Sequence, residues 1–264
     1  MLREELISNF TGAGSNHTYR AALLEQAGYC AGYGTAPMAS ISTSKDSLTI
    51  DGYFFDTLFE VSKSTVQRVE LDPITLKSND WECLKVQKEC WEERLEMHAA
   101  IQLHAPKSPY ENPDTIWPEL LVFNQYLPST PPEKVNAYFQ HGFVALMKAL
   151  AVCDAQENNN LDLLYATMGL EVDMEDARIY EGWAVKMQSE RRFCSTGKGY
   201  LGWVPLAARR DDVVCIFKGA PYPYLLREAD EGKYKLVGAC YVHGIMNGEA
   251  MAKGDLTEQS FTII

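Results

Sequence analysis

The chain has 264 residues, 46% of them hydrophobic and 23% charged, an ordinary globular composition without the charge excess that marks disorder. Its 36 acidic against 24 basic residues give a net charge of -12, which speaks against a phosphate-tracking nucleic-acid groove and against docking on an anionic membrane. No apolar run approaches the length of a bilayer span, and the charged start Met1-Leu2-Arg3-Glu4-Glu5 lacks a signal-peptide stretch, so the expected location is cytoplasmic.

The first stretch is rich in Gly, Ser and Tyr and reads as irregular structure with short strands. Residues 48–55 alternate weakly and predict a strand, with a helix beginning over 56–62. Asp80 is a candidate N-cap for a helix over 80–103, whose apolar face would carry Trp81, Leu84, Trp91, Leu95 and Ile101, with Pro106 and Pro109 ending it. A second helix is expected over 114–126, with Pro118 in its first turn. A third is expected over 132–152 on the spacing of Val135, Phe139, Phe143, Leu146 and Leu150. The run 157–160 reads as a loop, and 161–168 and 175–189 as further helices.

At Arg191 the character changes to Gly, Pro and β-branched or aromatic residues. Strands are predicted at 192–196, 200–204, 213–218, 222–227 and 233–242, separated by short turns such as Gly197-Lys198-Gly199 and Gly219-Ala220-Pro221. The expected fold class is α+β. A mainly helical part, 1–190, packs on a small antiparallel sheet or barrel, 191–264, and the two form one structural unit because the β segment alone would bury too little surface.

Seven cysteines stand at irregular spacings without a Cys-x-x-Cys pair, so no zinc or redox site is expected and the thiols read as small hydrophobes. Ser195-Thr196-Gly197-Lys198-Gly199 lacks the order of a phosphate loop and reads as a hairpin turn. No His pair, nucleotide loop or hydrolase elbow is visible, so neither metal nor cofactor is expected.

Residues 191–250 carry an ordered series. It runs through Arg191-Arg192-Phe193-Cys194, Gly199-Tyr200-Leu201-Gly202-Trp203-Val204-Pro205, Asp212-Val213-Val214, Pro223-Tyr224-Leu225-Leu226-Arg227 and Tyr241-Val242-His243-Gly244-Ile245-Met246-Asn247-Gly248-Glu249-Ala250. This series resembles the C-terminal region of fungal heterokaryon-incompatibility (HET) proteins. Residues 1–190 fit the helical middle of such proteins only loosely, and the HET domain itself is not among them. Asp211 stands where the family usually has Gly, Ala239 where it has Glu, and Asn247 where it has Asp.

His243 is the most suggestive titratable residue, at a strand end after Tyr241-Val242 and with Glu249 in reach, and Tyr241 and Glu249 are further catalytic candidates. A structural histidine in a turn is the competing and favoured assignment. Trp203, Tyr200 and Phe193 are candidate walls for a hydrophobic ligand, or else core, and Arg227 is a candidate polar anchor or a surface ion pair. Two functions follow. The first is a cofactor-free cyclase or pericyclase of the Diels–Alderase type, folding a hydrophobic terpenoid or polyketide intermediate into a reactive conformer. The alternative, which the resemblance implies directly, is a non-catalytic module that binds a protein partner in fungal non-self recognition.

Overall fold

A computed structural model describes residues 30–32, 42–43, 47–65, 80–104, 108–112, 115–123, 135–157 and 174–264. They fall into two compact units, one made of 1–59 with 207–264 and the other of 60–206. The class is α+β, with helices in the middle of the chain and a mostly antiparallel sheet toward its end. The expected helix over 161–168 and most of the Gly- and Ser-rich opening lie outside the described residues.

In the unit 60–206, helix α1 (Asp80–His104) ends ahead of the two prolines, as expected. Its buried stripe is Cys90, Arg94, Met97 and Ile101, which recurs at helical spacing, whereas Leu95 faces solvent. Of the expected face, Ile101 is buried, Trp91 half-buried and Leu95 exposed, while the side chains of Trp81 and Leu84 lie outside the described residues.

The expected helix over 114–126 is instead a single helical turn, α2 (Trp117–Leu120), with Pro118 in its first turn. Trp117, Leu120, Leu121, Val122 and Phe123 are all buried, and Glu119 is the one charged residue within 117–123. Phe123 takes a left-handed conformation, φ 56°, and ends the turn. The carbonyls left without helical partners are capped by side chains. Tyr180 donates to Pro118 O (2.6 Å), Trp203 Nε1 to Leu120 O (3.0 Å) and Gln188 Nε2 to Leu121 O (2.8 Å).

Helices α3 (Val135–Glu157) and α4 (Met174–Gln188) match the expected third and last helices, and α3 runs on past 152. They approach closely at Gly142, where a Cβ would come within 2.8 Å of Tyr180 Cβ. The hairpin β3 (Arg191–Thr196) and β4 (Leu201–Pro205) follows, turning through Gly199 at φ 88°. Phe193 opposes Trp203 across it with ring centroids 5.3 Å apart, and Trp117 lies 5.8 Å from Phe193.

The other unit is built on a closed ring. Strand β1 (Ser42–Thr43) pairs with the long β2 (Leu48–Val61), which starts in this unit. Then come β5 (Val213–Phe217), β6 (Pro223–Glu228), β7 (Lys233–Ala239), the short β8 (Tyr241–Val242), helical turn α5 (Glu249–Ala252) and β9 (Glu258–Ile263). The order β5-β6-β7-β9-β2, with β2 paired back to β5, closes a five-stranded barrel and leaves none of these strands as an open edge. The β7–β9 pair is parallel and the others are antiparallel.

Registers place Ile50 against Phe261, Gly52 against Phe217 and Cys215 against Tyr224. Phe217 meets Phe261 and Tyr224 at 5.8 and 5.3 Å between rings, and Tyr234 meets Phe261 at 5.6 Å. Packed aromatic rings hold this part of the barrel together. Two readings are corrected here. Residues 56–61 continue the strand instead of starting a helix, because a bulge between Phe54 and Asp56 shifts the alternation that sequence reading relies on. Strand β9 was not expected, since only Phe261 and Ile263 mark its buried face.

Candidate functional site

The Tyr241–His243–Glu249 segment belongs to the barrel unit. Tyr241 and His243 are two residues apart at a strand end, so their side chains leave on one side. Gly244 (φ 84°) and Gly248 (φ 86°) supply the left-handed turns that lead on into α5. The Tyr241 hydroxyl and His243 Nδ1 are 2.9 Å apart, and Tyr241 is 1% exposed. Burial lowers the His243 pKa to about 4, against an opposing pull from the Glu249 carboxylate. The imidazole is thus neutral near pH 7, and the pair shares one proton across the bond in a direction set by the tautomer.

Glu249 also holds the turn: its carboxylate accepts from Asn247 N–H (2.7 Å) and from the Asn247 side-chain amide (3.3 Å). Met246 Sδ accepts from Val242 N–H (3.4 Å), and Met246 O accepts from Cys30 N–H (3.0 Å). The arrangement can exchange a proton between phenol and imidazole. Equally, it can fix the path of the chain from β8 into α5.

Arg227 is on β6, where its Nε and Nη2 reach the two carboxylate oxygens of Asp212, each at 2.8 Å. Nη2 also donates to Ala207 O (2.7 Å). Asp212 is 2% exposed and accepts from Arg209 N–H as well. This bonding raises the Arg227 pKa and ties the 207–212 loop to the barrel. Asp211 has φ 68°, a left-handed conformation that glycine adopts without strain.

The expected hydrophobic wall, Phe193, Tyr200 and Trp203, belongs to the unit 60–206, and all three are buried. Tyr200 packs edge-on against Tyr110, whose hydroxyl accepts from Leu201 N–H. Phe193 and Trp203 pack together, but the acid–base candidates are in the other unit. Sequence reading missed Arg94 and Gln188, which meet at 2.8 Å beneath the same hairpin. A lone Arg and a lone Gln on amphipathic helices carry no signal in one sequence. Asp212 was likewise missed as the partner of Arg227.

Among the described residues no group of three or more His, Cys, Asp or Glu is placed to hold a metal ion. No described helix is long and apolar enough to cross a membrane. No curated protein and no solved structure gives a significant match to the chain. From α3 through β9, residues 135–263, nearly half of the chain, match the family model of the Het-6 beta-barrel domain, in agreement with the resemblance of this region to the C-terminal part of heterokaryon-incompatibility proteins.

Proposed function

We propose that this chain is a non-catalytic binding module of fungal heterokaryon incompatibility, in which the barrel unit presents a surface to a protein partner. The match of residues 135–263 to the Het-6 beta-barrel domain carries this reading. The ring contacts among Phe217, Tyr224, Tyr234 and Phe261 support it, since they pack aromatic side chains within the barrel unit.

Proximity labelling from the barrel, carried out as hyphae of compatible and incompatible strains fuse, tests the reading. Labelling of a defined partner that depends on the strain pairing is the expected result. An identical labelling pattern in both pairings would count against it.

The cofactor-free cyclase is the second reading, and the Tyr241–His243 bond is the observation in its favour, because a phenol paired with a neutral imidazole is competent to polarise a carbonyl. The match to the Het-6 beta-barrel domain carries neither cyclisation chemistry nor a terpenoid substrate. Loss of product in Tyr241→Phe with the fold intact would favour this second reading.

A further inference from the structure

Residues 30–32 lie well ahead of the stretch 135–263 that matches the Het-6 beta-barrel domain, yet they are seated on the barrel unit. Three consecutive backbone N–H groups donate to it: Cys30 to Met246 O (3.0 Å), Ala31 to Pro221 O (3.1 Å) and Gly32 to Ala220 O (3.0 Å). The acceptors come from two places, the turn between β5 and β6 and the turn after β8, so this short strap bridges them. Met246 also receives the Val242 N–H on its sulfur (3.4 Å), and the strap thereby braces the segment that carries Tyr241 and His243. All three acceptors belong to the matched domain and all three donors lie outside it. The domain thus offers a row of main-chain acceptors that a segment from elsewhere in the chain fills.

The fit is set by the backbone. Ala31 is fully buried and brings a single methyl group. A Cβ on Gly32 would come within 2.8 Å of Phe217 O, 2.9 Å of Gly219 N and 3.0 Å of Ala220 N. These are main-chain atoms of a tight turn, held by Gly219 at φ 68° and by the Ala220 N–H bond to Phe217 O (3.1 Å). The cleft therefore admits glycine at that position and no side chain. Such a dock reads main-chain donors and a small residue followed by glycine. Three neutral hydrogen bonds and two small residues gain about as much as the ordering of three residues costs. Contacts near that balance open locally while the rest of a fold stays closed.

We propose that this cleft is a main-chain docking site for a partner protein, and that residues 30–32 occupy it in cis as an autoinhibitory strap. The partner it fits presents a small residue followed by glycine, and its N–H groups take the three carbonyls when the strap lifts. This deepens the binding-module reading and rests on it for the existence of the partner.

The test uses the isotope-labelled full chain with Gly32→Val, which lifts the strap, and the synthetic peptide Gly-Tyr-Cys-Ala-Gly-Tyr-Gly of residues 28–34 as probe. The Ala220 and Met246 amide resonances of the variant shift saturably with the peptide. Those of the parent respond at least about tenfold more weakly, because its own strap holds the cleft. The same peptide carrying Gly32→Val gives no shift. No saturable shift in the variant, or equal affinity in variant and parent, would overturn the proposal. Should Gly32→Val fail to fold, amide exchange of the parent decides instead. Cys30, Ala31 and Gly32 exchange together and ahead of the β2–β5 amides if the strap lifts. Exchange only along with those amides makes the segment a fixed part of the barrel and overturns the proposal. Failure of the cleft leaves strain-dependent labelling intact. Identical labelling in both strain pairings, with peptide docking retained, strikes the binding-module reading and leaves the cleft and its strap.

Discussion

The Tyr241 hydroxyl and His243 Nδ1 are 2.9 Å apart at the end of β8, and burial keeps the imidazole neutral down to a pKa of about 4. An unfolded histidine takes up its proton near pH 6.5. Between those values the unfolded state binds more protons than the folded one, so stability is complete above about pH 6.5 and declines as the pH falls toward 4. At pH 4.5 the expected loss is about 2–3 kcal/mol, most of the roughly 3.4 kcal/mol that the full change from 6.5 to about 4 is worth. Urea melts at pH 7 and pH 4.5 measure it, and His243→Gln flattens that part of the profile. An unchanged profile in His243→Gln would place the pH dependence elsewhere.

Asp211 holds a left-handed backbone at φ 68° on an exposed loop. Asp211→Gly relieves the Cβ strain, and a gain of about 0.5–1 kcal/mol is expected after the entropy of glycine is set against it. A denaturant midpoint that rises at constant slope would show this gain, and one that falls would show that Asp211 contributes a contact worth more than the strain.

Arg227→Met leaves Asp212, 2% exposed, without its cation. The partial exposure of Arg227 tempers the effect, so the expected cost is about 2 kcal/mol, below the figure for a fully buried pair. Asp212→Asn combined with Arg227→Met recovers part of that loss. A double-mutant cycle with no coupling energy would contradict the geometry described for the loop.

Gly52 lies on β2 where a Cβ would come within 2.7 Å of Ile216 O and 3.0 Å of Phe217 Cα. Neither backbone atom is free to move without opening the β2–β5 pairing. Gly52→Ala is expected to cost about 1–3 kcal/mol by overpacking. Thermal unfolding of the variant at the temperature of the parent would rule out so close an approach.

Strand β2 precedes the matched residues 135–263, yet it pairs with both β5 and β9 to close the ring. A chain starting at residue 135 therefore exposes two strand edges, and aggregation is expected where the full chain stays dispersed. Size-exclusion chromatography of the two forms decides the point. A monodisperse, folded short form would show that the ring closes without β2.

Much of this fold is legible in the sequence. Helices α1, α3 and α4 follow from apolar spacing, and strands β3 to β7 from aromatic and β-branched runs cut by glycine turns. The exceptions share a cause, because each breaks the period that sequence reading depends on. The bulge near Phe55 resets the alternation of β2. Strand β9 offers only Phe261 and Ile263, and α2 is a single turn, too short to show a period, whose neighbouring carbonyls are capped by Tyr180, Trp203 and Gln188 from distant parts of the chain. Tyr241 and His243 were legible only as separate candidates, and their bond was not, because one sequence shows no partner geometry. Arg94 was not, because a buried arginine and a solvated one look alike until the helix has a neighbour.

The most direct test of the central claim is to delete the gene in a fungus that carries it and to confront the deletion strain with an incompatible partner. Scoring growth arrest and cell death at the contact zone, alongside the metabolite profile, separates the two functions. A binding module of incompatibility predicts a weakened or absent death reaction with an unchanged metabolite profile. An intact reaction with the loss of one cyclised metabolite would contradict it.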